Sequence, residues 1–434
     1  MSSSFDAYQK AVTYIESLAF VPKNDYMSIG TPAGRRNALK RFEVFLRRLG
    51  SPHRDMRYLH VGGTSGKGST AAMLHSILTQ AGIKAGLYTS PFVTTHIEKY
   101  TIGSNLLAPR DFTSIVERLK PTIDWMHTQS RWGHPSYFEI CTAIAFLAFK
   151  QHRCRYAVLE VGLGGQYDAT NVIPPPRVAL LTHIDKDHTE LLGNTLPQIA
   201  REKSGIIKRG STVFFSPATK AVKQIIEQAG RRVGAKIQEV RPDRAYKLSL
   251  AGPAQQNNAA LAAAAARQLG ISETVISAGL RRAALPCRFE YMRKNPLLIL
   301  DGAHNASKIT NVARQMKNLT YKKLFLIIAL TQNRQPLSVF RSLIPLADTT
   351  YVTRFESLAR KPLPPTELAD QLKRAFPPRR MRVTLDPEHA LDQALRAAKP
   401  NDCILVTGSF FLAGQLRQRW VSEDRILRRR SWQS

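Results

Sequence analysis

Residues Tyr58–Thr70 read YLHVGGTSGKGST, and this stretch decides the fold class. An extended apolar lead (Tyr58, Leu59, Val61) breaks into glycines, passes Lys67 and Ser69, and runs into the helix-forming Ala71-Ala72-Met73-Leu74. The order is strand, turn, helix. Glycines free backbone N–H groups in such a turn, the helix start adds positive potential, and a lysine adds a point charge; together they predict an anion site of P-loop type. The spacing is a variant, because Val61 stands where a strict P-loop has its first glycine and Gly68 separates Lys67 from Ser69. A glycine-rich turn that binds nothing would share these letters, so the flanking sequence has to decide.

Outward from this turn, short apolar runs rich in β-formers alternate with helical patterns almost throughout, which predicts an α/β fold with mostly parallel sheets and crossover helices. Helices are expected at Phe112–Lys120 and Gln335–Leu343 among others, and strands at Ala85–Tyr88, Thr212–Phe215 and Leu297–Leu300. A chain of 434 residues exceeds what one hydrophobic core serves. Two domains are expected, residues 1–285 and 286–434, parting within Arg281–Arg288 where Pro286 interrupts a helix. In such folds ligands meet the loops at the carboxyl ends of strands, and a cleft between the domains is the expected place for chemistry.

Composition excludes several classes. No apolar run is long enough for a membrane helix, and the start MSSSFDAYQKAV lacks the charged-then-apolar pattern of a secretory signal. Cys141, Cys154, Cys287 and Cys403 are widely spaced without a CxxC pair, as expected of reduced packing residues in a cytoplasmic protein. Net charge is +31, from 63 Lys+Arg against 32 Asp+Glu. The basic residues are scattered, as in Arg35-Arg36, Arg47-Arg48, Arg231-Arg232, Arg281-Arg282 and Arg379-Arg380; only Arg425–Arg430 (RILRRR) is dense, and interleaved aromatics are sparse. This pattern predicts a basic surface that favours anionic small molecules over nucleic acid.

Several residues carry candidate chemistry. Glu160 ends the apolar run YAVLEV before Gly162, Gly164 and Gly165, where an acid holds Mg²⁺ against phosphates or else caps the next turn. HIDKDHTE places His183, Asp185, Asp187, His188 and Glu190 at another strand end, either a metal-binding set or a charged surface loop. Ser90 after Tyr88 offers a hydroxyl to the same cation or caps a turn. Asp301 after PLLIL is placed to accept from ribose hydroxyls or to cap the helix near Ser307. Lys203 lies between apolar positions of IAREKSGIIK; it is either solvated or desolvated and easily deprotonated.

Taken together, HVGGTSGKGST, GLYTSPF, SYFEICTAIAFLAF, VLEVGLGGQYDATNVI, DHTELLGNTL, REKSGIIK, PCRFE, LILDGAHN and LVTGSFFLAG resemble the folylpolyglutamate synthases and dihydrofolate synthases of the Mur ligase superfamily, in the family order. The resemblance implies a P-loop-type Mur ligase central ATPase domain with a mostly parallel sheet, followed by a smaller Rossmann-like C-terminal α/β domain. It implies ATP and Mg²⁺ as cofactors and an amide formed between L-glutamate and a pterin carboxylate (dihydropteroate, a reduced folate, or both) through an acyl phosphate. By position, Thr64, Ser65, Gly66, Lys67, Gly68 and Ser69 would wrap the triphosphate, while Ser90, Glu160 and His188 would hold magnesium. Asn258, Arg288 and Asp301 would meet the nucleotide, and Lys203 matches a lysine that the family carbamylates. Lys67, Glu160, His188 and Lys203 would thus carry the catalysis. Ser136, Tyr137, Phe138, Glu139, Tyr167, Asp168 and Ala169 match stretches that face the pterin. A cytoplasmic monomer acting on small molecules is expected, with no membrane and no nucleic-acid partner.

The chain departs from the family pattern in places. Ser65 replaces an Asn, Ala254 replaces the His of HQxxN, and WPGR reads Leu285-Pro286-Cys287-Arg288. Lys99 stands for the Arg of FNER, and Asp185-Lys186 for the Gly-Leu of IGLDH. These bear on the acceptor more than on the ATP chemistry. The competing expectations are a Mur-like ligase with another amino acid or carboxylate acceptor, and a basic nucleotide- or nucleic-acid-binding module without ligase activity.

Overall fold

The structure, a computed structural model, describes residues 3–20, 31–332, 334–357, 360–377 and 380–432. Met1, Ser2 and Arg379 of the basic pair lie outside the described residues. The chain divides into two compact units: the first holds residues up to Phe92, His96–Ser249 and Gln255–Ala284, the second Val93–Thr95, Leu250–Ala254 and the chain from Leu285. A single cut at 285/286 does not describe the two short excursions.

The first unit is built on an eight-stranded sheet of β1 (Arg57–Gly62), β2 (Ala85–Tyr88), β3 (Tyr100–Ile102), β4 (Asn105–Leu106), β5 (Tyr156–Glu160), β6 (Val178–Leu181), β7 (Thr212–Phe215) and β8 (Lys236–Glu239). Their order is β4-β3-β2-β5-β1-β6-β7-β8. β3 and β4 are antiparallel and the rest pair parallel. β1, β2, β5 and β6 are buried almost throughout, which is why they read as unbroken apolar runs: parallel strands carry helices on both faces. The helix expected at Phe112–Lys120 extends over Pro109–Thr128, with Pro121 inside it. An internal proline costs about 3 kcal/mol. Burying Ile123 and Met126 beyond it returns roughly 1.5–3 kcal/mol each, so the helix continues. Among the described residues the α-helices Ser3–Ser17 and Pro32–Arg48 precede β1; the latter starts at a Thr31 cap followed by Pro32.

The second unit has a six-stranded sheet: β9 (Glu290–Lys294), β10 (Leu297–Leu300), β11 (Leu324–Ile328), β12 (Thr349–Val352), β13 (Arg380–Val383) and β14 (Cys403–Thr407). The order is β13-β12-β11-β14-β10-β9, parallel except for β9 against β10. One apolar cluster packs on each face. The helix expected over Gln335–Leu343 is shorter, Pro336–Phe340, and is followed by a turn at residues 341–343 and the short 3-10 helix Ile344–Leu346. All four cysteines are buried thiols, and no described helix is long and apolar enough to cross a membrane.

Candidate active site

The turn after β1 is fixed from two sides. Gly66 has φ of +89°, and a Cβ there would collide with the side-chain amide of Asn258. Asn258, of the same unit, lies on the helix Ala254–Gln268; its Nδ2 donates to Gln255 Oε1 (2.8 Å), and Gln255 Nε2 to Ser69 Oγ (3.4 Å). On the other side the Thr64 N–H donates to the His183 carbonyl (2.8 Å), and the Thr64 hydroxyl both donates to the Asp185 carbonyl (2.9 Å) and accepts from the Asp185 N–H (3.0 Å). The glycine-rich turn is therefore clipped to the segment that follows β6.

Two lysines converge on this turn. Lys67 Nζ donates to the carbonyls of Gly63 (3.2 Å) and Thr64 (3.4 Å), and Lys203 Nζ donates to the same Gly63 carbonyl (2.8 Å). Lys203 is 3% exposed. Burial, followed by repulsion from Lys67, lowers its pKa to about 7 against the pull of Asp187, Glu202 and Asp168.

Glu160 is the register partner of Val61, so it stands at the end of the strand beside the turn. It is buried, and its Oε2 accepts the Ser90 N–H (3.0 Å). Asp168, also buried, accepts from the Leu163 N–H (2.8 Å) and the Thr170 N–H (2.9 Å); the Thr170 hydroxyl lies 2.8 Å from His60 Nε2. Burial raises the Asp168 pKa, and burial holds that of His60 down to about 3, so the imidazole is neutral. Beside them the Arg35 guanidinium lies 3.6 Å from Glu202 and 5.3 Å over the Tyr167 ring. Burial raises the Glu202 pKa, opposed by Arg35 and the N–H groups of Tyr167 and Gly165.

In the second unit Asp301 is buried at the end of β10, and its carboxylate accepts from the N–H groups of Phe289 (2.8 Å) and Ala303 (2.7 Å). Burial raises its pKa, with those bonds and Arg288 opposing. The Arg288 guanidinium lies 4.0 Å from the centre of the Phe410 ring.

Residues 61–237 match the Mur ligase middle domain and residues 287–410 the Mur ligase glutamate ligase domain. The dihydrofolate synthase/folylpolyglutamate synthase of Bacillus subtilis is 30% identical over 447 aligned residues, covering 96% of this chain and 99% of that relative. The chain belongs to the folylpolyglutamate synthase and dihydrofolate synthase family of Mur ligases. Among solved structures, the Mycobacterium tuberculosis folylpolyglutamate synthase complexed with ADP matches with a TM-score of 0.87 at 25% identity, covering 96% and 99% of the two chains. The E. coli FolC structure in complex with DHPP and ADP matches with a TM-score of 0.80 at 26% identity, covering 94% and 97%.

Of the residues that the family pattern points to, the fold brings Thr64–Lys67, Ser69, Asn258, Glu160, Ser90, Asp168 and Lys203 to the β1 turn and the strand ends beside it. Asn258 belongs to the first unit, whereas Arg288 and Asp301 belong to the second. His188 sits in the left-handed region (φ +50°) at the start of the Thr189–Leu192 turn, facing Asp187 (3.8 Å) and Glu190 (3.6 Å). The HIDKDHTE cluster does not converge: His183 faces Asp185 while His188 faces Asp187 and Glu190. Among the described residues no three His, Cys, Asp or Glu side chains gather to hold a metal by themselves.

Glu139 and Asp301 each take part in the local structure. Glu139 lies at a helix start. It is buried in a bidentate pair with Arg41 (3.0 and 2.9 Å) and accepts the Ser136 N–H (2.7 Å) in a capping box that starts the helix Tyr137–Gln151. The helix after Asp301 is capped by Asn305, whose Oδ1 accepts the Lys308 N–H (2.9 Å); Asp301 instead shapes the turn before it. Arg35, Arg41 and Glu202 are contributors that the motifs did not single out. For Glu202 the signal was its place beside Lys203, and for Arg41 there was none.

Proposed function

We propose that the chain is an ATP-dependent ligase that joins L-glutamate to the carboxylate of dihydropteroate, a reduced folate, or both, through an acyl phosphate, as a cytoplasmic monomer. The observation that carries this reading is the meeting of the Lys67 turn with Glu160 at adjacent strand ends. The turn suits a triphosphate: Gly66 leaves no space for a side chain, and Lys67 is hydrogen-bonded to carbonyl oxygens rather than to a carboxylate. Ser90 and Glu160, already in contact, offer hard oxygen donors that suit Mg²⁺, with His188 as the third residue assigned to it. The bound ion would supply charge neutralisation at the phosphates.

Within that frame Thr64–Ser69 and Asn258 bind and align the triphosphate, with Lys67 countering charge that develops on the transferred phosphoryl group. Arg288 is assigned to the nucleotide as well; Asp301 supports the Arg288 turn and joins it there. Tyr167–Ala169 and Ser136–Phe138 orient the pterin, and Glu139 acts through the helix start that it builds. Lys203, with its pKa near 7, is poised to react as a neutral amine with CO₂. A new N–C bond then forms, one proton leaves to solvent, and a carbamate anion remains. The related enzymes of Bacillus subtilis and Lacticaseibacillus casei, named for dihydrofolate and folylpolyglutamate synthesis, support the substrate class.

The test is ADP release with purified protein and magnesium, comparing dihydropteroate with tetrahydrofolate. Release should require glutamate and a pterin together. Release stimulated instead by another amino acid, or independent of any pterin, would replace this reading with that of a different Mur-type ligase.

A further inference from the structure

Arg288 is presented by a turn of unlikely backbone shape. Both its neighbours, Cys287 and Phe289, have φ of +53°, a region that residues with a Cβ rarely adopt. Such a turn persists only where its surroundings hold it. Three hydrogen bonds do so: Cys287 N–H to Glu290 Oε2 (2.8 Å), Phe289 N–H to Asp301 Oδ2 (2.8 Å), and Gly302 N–H to the Cys287 carbonyl (2.9 Å).

Glu290 is held in its turn. Arg417 Nε donates to Glu290 Oε2 (2.9 Å) and Nη2 to Oε1 (2.9 Å), and Nη2 also donates to the Trp432 carbonyl (2.7 Å). Arg417 is 1% exposed, whereas Glu290 is 24% exposed. A buried ion pair is a poor device for stability alone, because apolar side chains of the same volume usually serve as well or better. This pair does something that an apolar pair cannot: it aims a carboxylate at the one amide that precedes Arg288.

We propose that Glu290 and Arg417 are positioning residues for Arg288, fixing the left-handed turn from which its guanidinium reaches the nucleotide, with the C-terminal segment at Trp432 completing the clamp. Neither residue is assigned a contact with substrate. The inference rests on the reading of Arg288 as a nucleotide contact.

The experiment compares Glu290→Ala, Glu290→Gln, Arg417→Met, Arg288→Ala and the double variant Glu290→Ala/Arg288→Ala. ADP affinity is measured by calorimetry, the KM for ATP by turnover, and amide exchange over residues 285–290 in the ligand-free protein. Glu290→Ala and Arg417→Met should each weaken ADP binding and raise the KM for ATP by roughly tenfold. Exchange at the Cys287 amide should accelerate, and Glu290→Gln, which keeps an acceptor for that amide, should recover part of the loss. In the Arg288→Ala background, Glu290→Ala should cost nothing further, because the group it positions is gone. A further loss of the same size in that background would mean general destabilisation and would overturn the proposal. Intact ADP affinity in Glu290→Ala and Arg417→Met, with Arg288→Ala impaired, would overturn the clamp alone. Intact affinity in Arg288→Ala would overturn the nucleotide role of Arg288 and the clamp with it.

Discussion

Replacing Lys203 with methionine should stabilise the protein while abolishing ligation. The lysine is buried with a pKa of about 7 against an ordinary 10.5, a difference of 3.5 units. At about 1.4 kcal/mol per unit, keeping it there costs the folded state about 5 kcal/mol at pH 6.5. The sign follows from proton counting. Between pH 7 and 10.5 the unfolded chain holds a proton on this amine that the folded chain lacks, so stability falls as pH drops through that window. Below about 7 both states are protonated and the penalty is complete; above 10.5 it vanishes. Methionine carries no such penalty but forfeits the hydrogen bond to the Gly63 carbonyl, a loss of about 1 kcal/mol. At pH 6.5 the variant should therefore be more stable by about 3–4 kcal/mol, and at pH 9.5 the gap should close to within about 1 kcal/mol. Equilibrium urea unfolding of both proteins in CO₂-free buffer measures this directly. Added bicarbonate should stabilise the wild type and leave the variant unchanged, since a carbamate forms only on the folded lysine site. A gap independent of pH, or a variant less stable at pH 6.5, would refute the desolvated-lysine argument.

Lys67→Ala should abolish ADP formation while leaving the fold intact; unchanged turnover would remove it from phosphate chemistry. Arg41→Ala should destabilise the protein by about 3–5 kcal/mol, since it leaves the buried Glu139 carboxylate without its partner. A loss under about 1 kcal/mol would show that water reaches Glu139, and Arg41→Met/Glu139→Gln should recover most of the stability if the unpaired charge is the cause.

The central strands were legible because a strand covered on both faces has no polar side to interrupt it; β1, β2, β5 and β6 are such runs. The β3–β4 hairpin is too short to show a period, and the strands KIQE and RMRV expose Lys236, Gln238, Arg380 and Arg382 beside the partly buried Ile237 and Met381. Local pattern cannot separate such edges from loop. The placement of Lys67 and Glu160 at adjacent strand ends was readable for the same reason as the strands, each following a buried run. The pairing of Glu139 with Arg41 was not legible, because Arg41 is distant in sequence and carried on a helix that no motif marked. The spacing Ser136-x-x-Glu139 did hold a local signal, that of a capping box, and it pointed to the helix start rather than to a ligand. For Asp301 the sequence left ribose contact and helix cap open, and the cap fell to Asn305, three residues before the Lys308 amide.

The Gly63 carbonyl ties stability to chemistry in this fold. It accepts from Lys67 and Lys203 at once, which places two ammonium groups around a single neutral oxygen. Burial, joined by that repulsion, lowers the Lys203 pKa to about 7 against the pull of Asp187, Glu202 and Asp168. Lys203 is almost fully buried, so the folded site holds its proton weakly. An amine that gives up its proton near neutrality is a nucleophile for CO₂, and the anion so formed would reverse the sign of the local field beside Lys67. The stability cost of the buried lysine and the reactivity proposed for it then share one electrostatic cause, which is why the stability gain of Lys203→Met and its loss of ligation should arrive together.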